Sequence, residues 1–291
     1  MKDTATMKST IKVWSGLGLA TALMGAGLSG CASGTGDTDE TSAAATQAGE
    51  GGQGEGGEGE GGEGEAGAGD GDGEGGVVVA DAASDPIVYG SALAIVEAHA
   101  VAALDVYKAG KADAAGEMFG HPVSEVLADM APVFEGLGVA DFSSTLSDAS
   151  QAALDGESVE VVEERYYAII AALREAAKKA PESDLSAGAV AAGVAADQIE
   201  RATGMYKTAA GYDIYPPYLD GYGFYKSAVS AFDREGNAIK TYNSGLHKDI
   251  AGAIEQLAAA YPSAERPEML DADLGKLLAA SSKVNLGLPS T

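Results

Sequence analysis

From Pro86 onward the apolar positions recur with helical rather than strand spacing. Asp85 followed by Pro86 reads as an N-cap with proline at the first helical position. Ile87, Leu93, Val96, His99, Ala103 and Val106 then fall near one stripe, and Gly110 stops the helix. Lys111 to Phe119 forms a short second helix. Pro122 restarts the chain as a third, which carries Val123, Val126, Leu127 and Met130 to about Gly136. Asp141 caps a fourth, reaching Leu154. Glu157 to Ala180 is a long fifth, with Val161, Val162, Tyr166, Ile169, Ile170 and Leu173 turned inward. Asp184 opens a sixth, from Leu185 to about Ala210, and a loop containing Pro216 and Pro217 follows. Leu219 to Tyr261 is helical again, broken near Gly236 or Gly245, and Asp271 caps a last short helix. Val/Ile/Thr runs with period-two alternation are missing. The pattern over residues 85–291 predicts an all-α fold, an antiparallel bundle of six to eight helices with short connections.

The chain before this domain is patterned differently. Residues 34–76 hold 18 of the 41 glycines, and 14 acidic residues lie between Asp37 and Asp85 with no basic one. Residues 31–84 therefore read as a disordered Gly/Glu-rich tether: too little apolar surface to offset ordering entropy, and like charges that extend it. Its carboxylates gather a diffuse cation atmosphere. A defined cation site needs fixed geometry, which glycine opposes. Residues 1–30 carry Lys2, Lys8 and Lys12, then an apolar stretch from Val13 to Leu28. That is a secretory signal peptide, since about 16 apolar residues fall short of the roughly 20 that span a bilayer. On this reading no apolar run outside the first thirty residues makes a transmembrane helix. The ending Leu28-Ser29-Gly30-Cys31 resembles the lipobox of bacterial lipoproteins. The resemblance implies cleavage before Cys31, its diacylation, and a lipid-anchored place in the cell envelope. In a Gram-negative cell the outer membrane is favoured, because Ala32 rather than Asp follows the cysteine.

Charge and composition exclude several classes. The formal charge is −26, of which residues 86–291 carry −14, so nucleic acid is not an expected partner. A single cysteine makes neither a disulfide nor a cysteine metal cluster. No His-Glu-x-x-His or Gly-x-Ser-x-Gly motif is present, and no nucleophile–base–acid set is visible, so the chain does not read as an enzyme.

Three histidines remain: His99, His121 and His247. Glu125 follows His121 by four residues, about one helical turn, so both side chains share a face. An imidazole and a carboxylate converging in this way suit a transition metal such as iron or copper. The same spacing equally serves capping, with His121 at a helix entrance and Glu125 on the first turn. His99 lies in the apolar stripe, as core histidines do. A hairpin turning at Gly110 would bring it toward His121, making His99, His121 and Glu125 the candidate metal ligands. His247 reads as a helix-end or partly buried residue. Tyrosines are dense between Tyr206 and Tyr225, where Tyr212, Tyr215, Tyr218 and Tyr222 accompany the two prolines. They read as an aromatic plug closing the bundle, or as a loop that meets a ligand or another envelope protein.

The stretch from Tyr89 to Leu137 resembles a family of uncharacterised secreted bacterial helical proteins. Its features are a histidine in the first helix, a His-Pro-x-x-Glu turn and a later tyrosine-led segment; here these are His99, His121 to Glu125, and Tyr206 onward. The segment from Tyr107 to Phe119 is similar, more distantly, to imelysin-like proteins of bacterial iron uptake. The imelysin Gly-x-His-x-x-Glu motif is not reproduced, since Glu97 precedes His99 by two and Ala102 follows it by three. The resemblance implies an exported bundle with an iron or copper site, a metal-uptake partner and no established catalysis. It brings in Glu97 as a marginal further ligand.

Overall fold

A computed structural model describes residues 79–289. The signal expected at 1–30, the lipidation site Cys31 and most of the acidic segment 31–84 lie outside the described residues. Among those described there are ten α-helices, one π-helical turn and no strand, as the apolar periodicity predicts. The helices are α1 (Val79–Ala82), α2 (Pro86–Lys108), α3 (Ala112–Pro122), then the π-turn (Val123–Leu127), α4 (Ala128–Leu137) and α5 (Ser143–Leu154). There follow α6 (Val159–Ala177), α7 (Ala187–Tyr212), α8 (Pro216–Tyr242), α9 (Ser244–Ala260) and α10 (Leu274–Leu286).

Caps explain most boundaries. The Asp85 carboxylate accepts from the Ile87 amide at 2.7 Å, and Pro86 takes the first turn, where its missing N–H costs nothing. Ser158, Ser186 and Asn243 cap α6, α7 and α9 in the same way. Gly110 ends α2 with φ +85°, a left-handed conformation that strains any residue carrying a Cβ.

Four expectations are corrected. The folded unit begins before Asp85, because Ala82 of α1 is fully buried against the bundle. Pro122 does not restart a helix: it sits in the last turn of α3, and the chain runs on through the π-turn into α4. The tyrosine-rich segment is loop only at 213–215: Tyr212 ends α7, Tyr215 stands at the N-cap of α8, Pro216 and Pro217 occupy its first turn, and Tyr218 and Tyr222 lie along it. The last helix is capped by Asp273, which accepts from the Lys276 amide, rather than by Asp271.

Helix α2 lies at the centre, packed against α3, α6, α7 and α8. By length and composition it is apolar enough to cross a membrane, contrary to the reading above, but 78% of its apolar window is buried by other helices. That is the composition of a helix surrounded on all sides by protein. Against it, α8 approaches backbone to backbone. A Cβ on Gly223 would lie 2.5 Å from the Ala98 carbonyl oxygen, so only glycine fits. This contact sets α8 beside the residue that follows Ala98, which is His99.

Candidate metal centre

His99 is 2% exposed and points from α2 into the interior. Its Nδ1 lies 2.9 Å from the Ile95 carbonyl oxygen. A carbonyl only accepts, so Nδ1 carries the proton and Nε2 is left with the lone pair. Burial, reinforced by the charges of His121 and Arg201, outweighs the Ile95 bond and lowers the imidazole pKa to about 4. At neutral pH His99 is a neutral imidazole with a fixed tautomer, the form that binds metals.

The turn at Gly110 folds α3 back along α2. His121 lands in the last turn of α3, half-buried, with its ring centroid 6.1 Å from that of His99 and the rings inclined by 70°. Glu125 comes from the π-turn, where the Ala128 amide reaches back five residues to the Val123 carbonyl. An α-helix turns through more than one revolution in four residues, overshooting by roughly 40°. A π-turn, with more residues per revolution, brings residues four apart closer to one line. One ligand atom from each of His99, His121 and Glu125 lies within 4.8 Å of the others. The spacing read from sequence is therefore realised as a convergence in space.

A fourth group stands at this place that the sequence pattern did not single out. Asp220 of α8 is 3% exposed, and its Oδ1 is 3.9 Å from His99 Nε2. The distance is too long for a hydrogen bond. Phe224, one turn further along α8, sets its ring nearly perpendicular to His99 at 5.9 Å. The signal available in the sequence was an acidic residue between Leu219 and Gly221 on an otherwise apolar helical face. The segment from Leu219 reads as helix, but nothing in the spacing says that this face meets His99.

The remaining candidates lie elsewhere. Glu97 is not a ligand, because its buried carboxylate accepts two hydrogen bonds from Arg174, at 2.7 and 2.8 Å, and others from Ser230 and Arg234. Burial pushes its pKa up, but the two guanidiniums and the hydroxyl prevail and hold it below the usual carboxylate range. His247 packs its ring on Phe232 at 4.8 Å, half-buried on α9. Tyr218 and Tyr222 are buried, and Tyr215 is half-buried. Their hydroxyls donate to Ser263 O, Asp105 Oδ2 and Ala264 O respectively. Burial raises all three phenol pKa values, so phenolate ligation is disfavoured. Of these four tyrosines, Tyr212 is the exposed one, at 76%.

Fold and site together define an all-α bundle with an interior cluster of two imidazoles and a carboxylate. Comparison of the chain with protein-family models, with curated proteins and with solved structures gives no match.

Proposed function

We propose that the protein is an exported, lipid-anchored helical bundle that captures a transition metal ion, iron or copper, and presents it to an uptake system of the envelope. The observation that carries this reading is the convergence of His99, His121 and Glu125, with ligand atoms inside 4.8 Å of one another. The neutral, tautomer-fixed His99 supports it. So does the placement of Glu125 on a π-turn, a feature that recurs at functional sites. The lipobox-like ending at Cys31 supplies the anchor and the acidic segment the reach.

The test is titration of the chelator-stripped protein with Fe²⁺, Cu²⁺ and Zn²⁺ by calorimetry, together with the melting shift. A ligand at a hundredfold excess over Kd stabilises the fold by about 2.7 kcal/mol. One equivalent should bind to the wild type and none to the folded double variant His121→Ala/Glu125→Ala. Equal affinity in both would sink the site, and no binding by the wild type would sink the function.

A further inference from the structure

We infer that Asp220 is a fourth protein ligand of this ion, so that the centre is a two-histidine, two-carboxylate site contributed by α2, the α3–π-turn segment and α8. The inference rests on the metal-capture reading and extends it to the coordination set and the class of ion.

Three observations lead here. The first is distance. Zinc-like bonds of roughly 2.0–2.2 Å place two donors of one ion roughly 3 to 4.3 Å apart. The separation of 3.9 Å between Asp220 Oδ1 and His99 Nε2 falls inside that range. The second is polarity. His99 donates through Nδ1 to Ile95, so Nε2 faces Asp220 as an acceptor, and the carboxylate faces it as another. Two acceptors facing each other at this distance, both nearly sealed from water, form a seat for a cation. A carboxylate has two oxygens and serves an ion while keeping another partner. The third is construction. Gly223 lets α8 touch the α2 backbone at Ala98, and Asp220 stands three residues earlier on that face, with Phe224 packed on His99 beside it. The close approach that only glycine permits is what delivers the carboxylate.

The class of ion follows from the donors. Two imidazoles and two carboxylates contain no sulfur, so the set suits Fe²⁺, Zn²⁺ or Cu²⁺ and is poorly matched to the soft Cu⁺. Among the two metals proposed, the cargo is then iron or oxidised copper. Binding also ties α8 to the α2–α3 hairpin, across the 120 residues of chain between His99 and Asp220.

The experiment is anaerobic titration of the full chain with Fe²⁺, and with Co²⁺ as a spectroscopic probe, for wild type, Asp220→Asn and Asp220→Glu. An outer-shell partner typically costs 10–100-fold in affinity. For a direct ligand, Asp220→Asn should lose more than about a hundredfold and change the visible Co²⁺ spectrum, with Asp220→Glu recovering part of both. Unchanged affinity and spectrum in Asp220→Asn, with wild type binding, overturn the inference and leave the three-residue site standing. Absence of binding by wild type overturns the metal reading itself. Should the variants not fold, anomalous diffraction from Co²⁺-loaded wild-type crystals decides. An ion roughly 2.2 Å from an Asp220 oxygen supports direct ligation, and one lying well beyond that bond length refutes it.

Discussion

At the residue scale, two polar side chains two positions apart on α2 are buried for opposite ends. Glu97 is saturated by Arg174, Arg234 and Ser230 and ties three helices together. His99 satisfies only its Nδ1 within α2 and offers Nε2 to the interior. Their titrations separate them. The folded His99 pKa is about 4, against the ordinary 6.5 of the unfolded chain. Between those values the unfolded chain binds a proton that the folded one refuses. Stability of the metal-free protein is then fully present above pH 6.5 and falls as the pH drops toward 4, by on the order of 3 kcal/mol. Urea unfolding at stepped pH checks this: His99→Gln should flatten the slope in that window. Glu97, held below its usual range, loses its contribution only at lower pH, as it becomes protonated. His99, His121 and Glu125 were legible in the sequence because helical spacing and one glycine turn are local facts. Asp220 was not, because it reaches the site only through the contact of α8 with α2, which no spacing encodes.

At the element scale, the consequential departure from regular helix is the turn Val123–Leu127. Pro122 carries no N–H and disturbs the helical ladder, and the chain answers by widening rather than breaking. Sequence reading took that proline for a boundary, since most helices stop there. Removing Ser124 should restore α-helical bonding and swing Glu125 off the line of His121. The expected result is retained helical circular dichroism with loss of Fe²⁺ and Co²⁺ binding. Binding at wild-type affinity would show that the turn is incidental. The tyrosine segment teaches the converse lesson. Two successive prolines looked like a loop, yet at the first turn of α8 they cost no hydrogen bond. Helix existence and the inward faces were readable, whereas the exact handling of proline depended on what packs around it.

At the scale of the whole molecule, the proposed function divides between the bundle and the chain before it. Residues 79–289 hold the candidate site, and the signal-like apolar stretch, Cys31 and the acidic segment are compositional features of the chain ahead of it. One acyl chain binds membranes only marginally, whereas diacylation anchors stably. On the proposed anchoring, Cys31→Ser should therefore move the protein from the membrane fraction to the soluble fraction, and the proposed metal binding by the bundle should be unchanged. Persistence in the membrane fraction would show that the lipobox resemblance does not mark an anchor. Helix α2 is not the alternative anchor, because 78% of its apolar window is already buried against other helices.

The aromatic packing at the end of the bundle has an optical consequence. Tyr261 has Tyr206, Tyr218 and Tyr225 around it at centroid separations of 5.2 to 6.3 Å, and Tyr222 stands 6.3 Å from Tyr225. The only tryptophan, Trp14, falls ahead of Cys31. Ultraviolet emission of the bundle therefore comes from tyrosine alone, and excitation hops among rings this close. Burial is the main cause that raises the Tyr261 pKa, and the nearby Asp220 charge adds to it, so that array borders the ion's proposed seat. An open-shell cation there would drain excitation from the whole group, and closed-shell Zn²⁺ would leave it shining. The bundle thus carries its own lamp for telling apart the ions proposed to sit there.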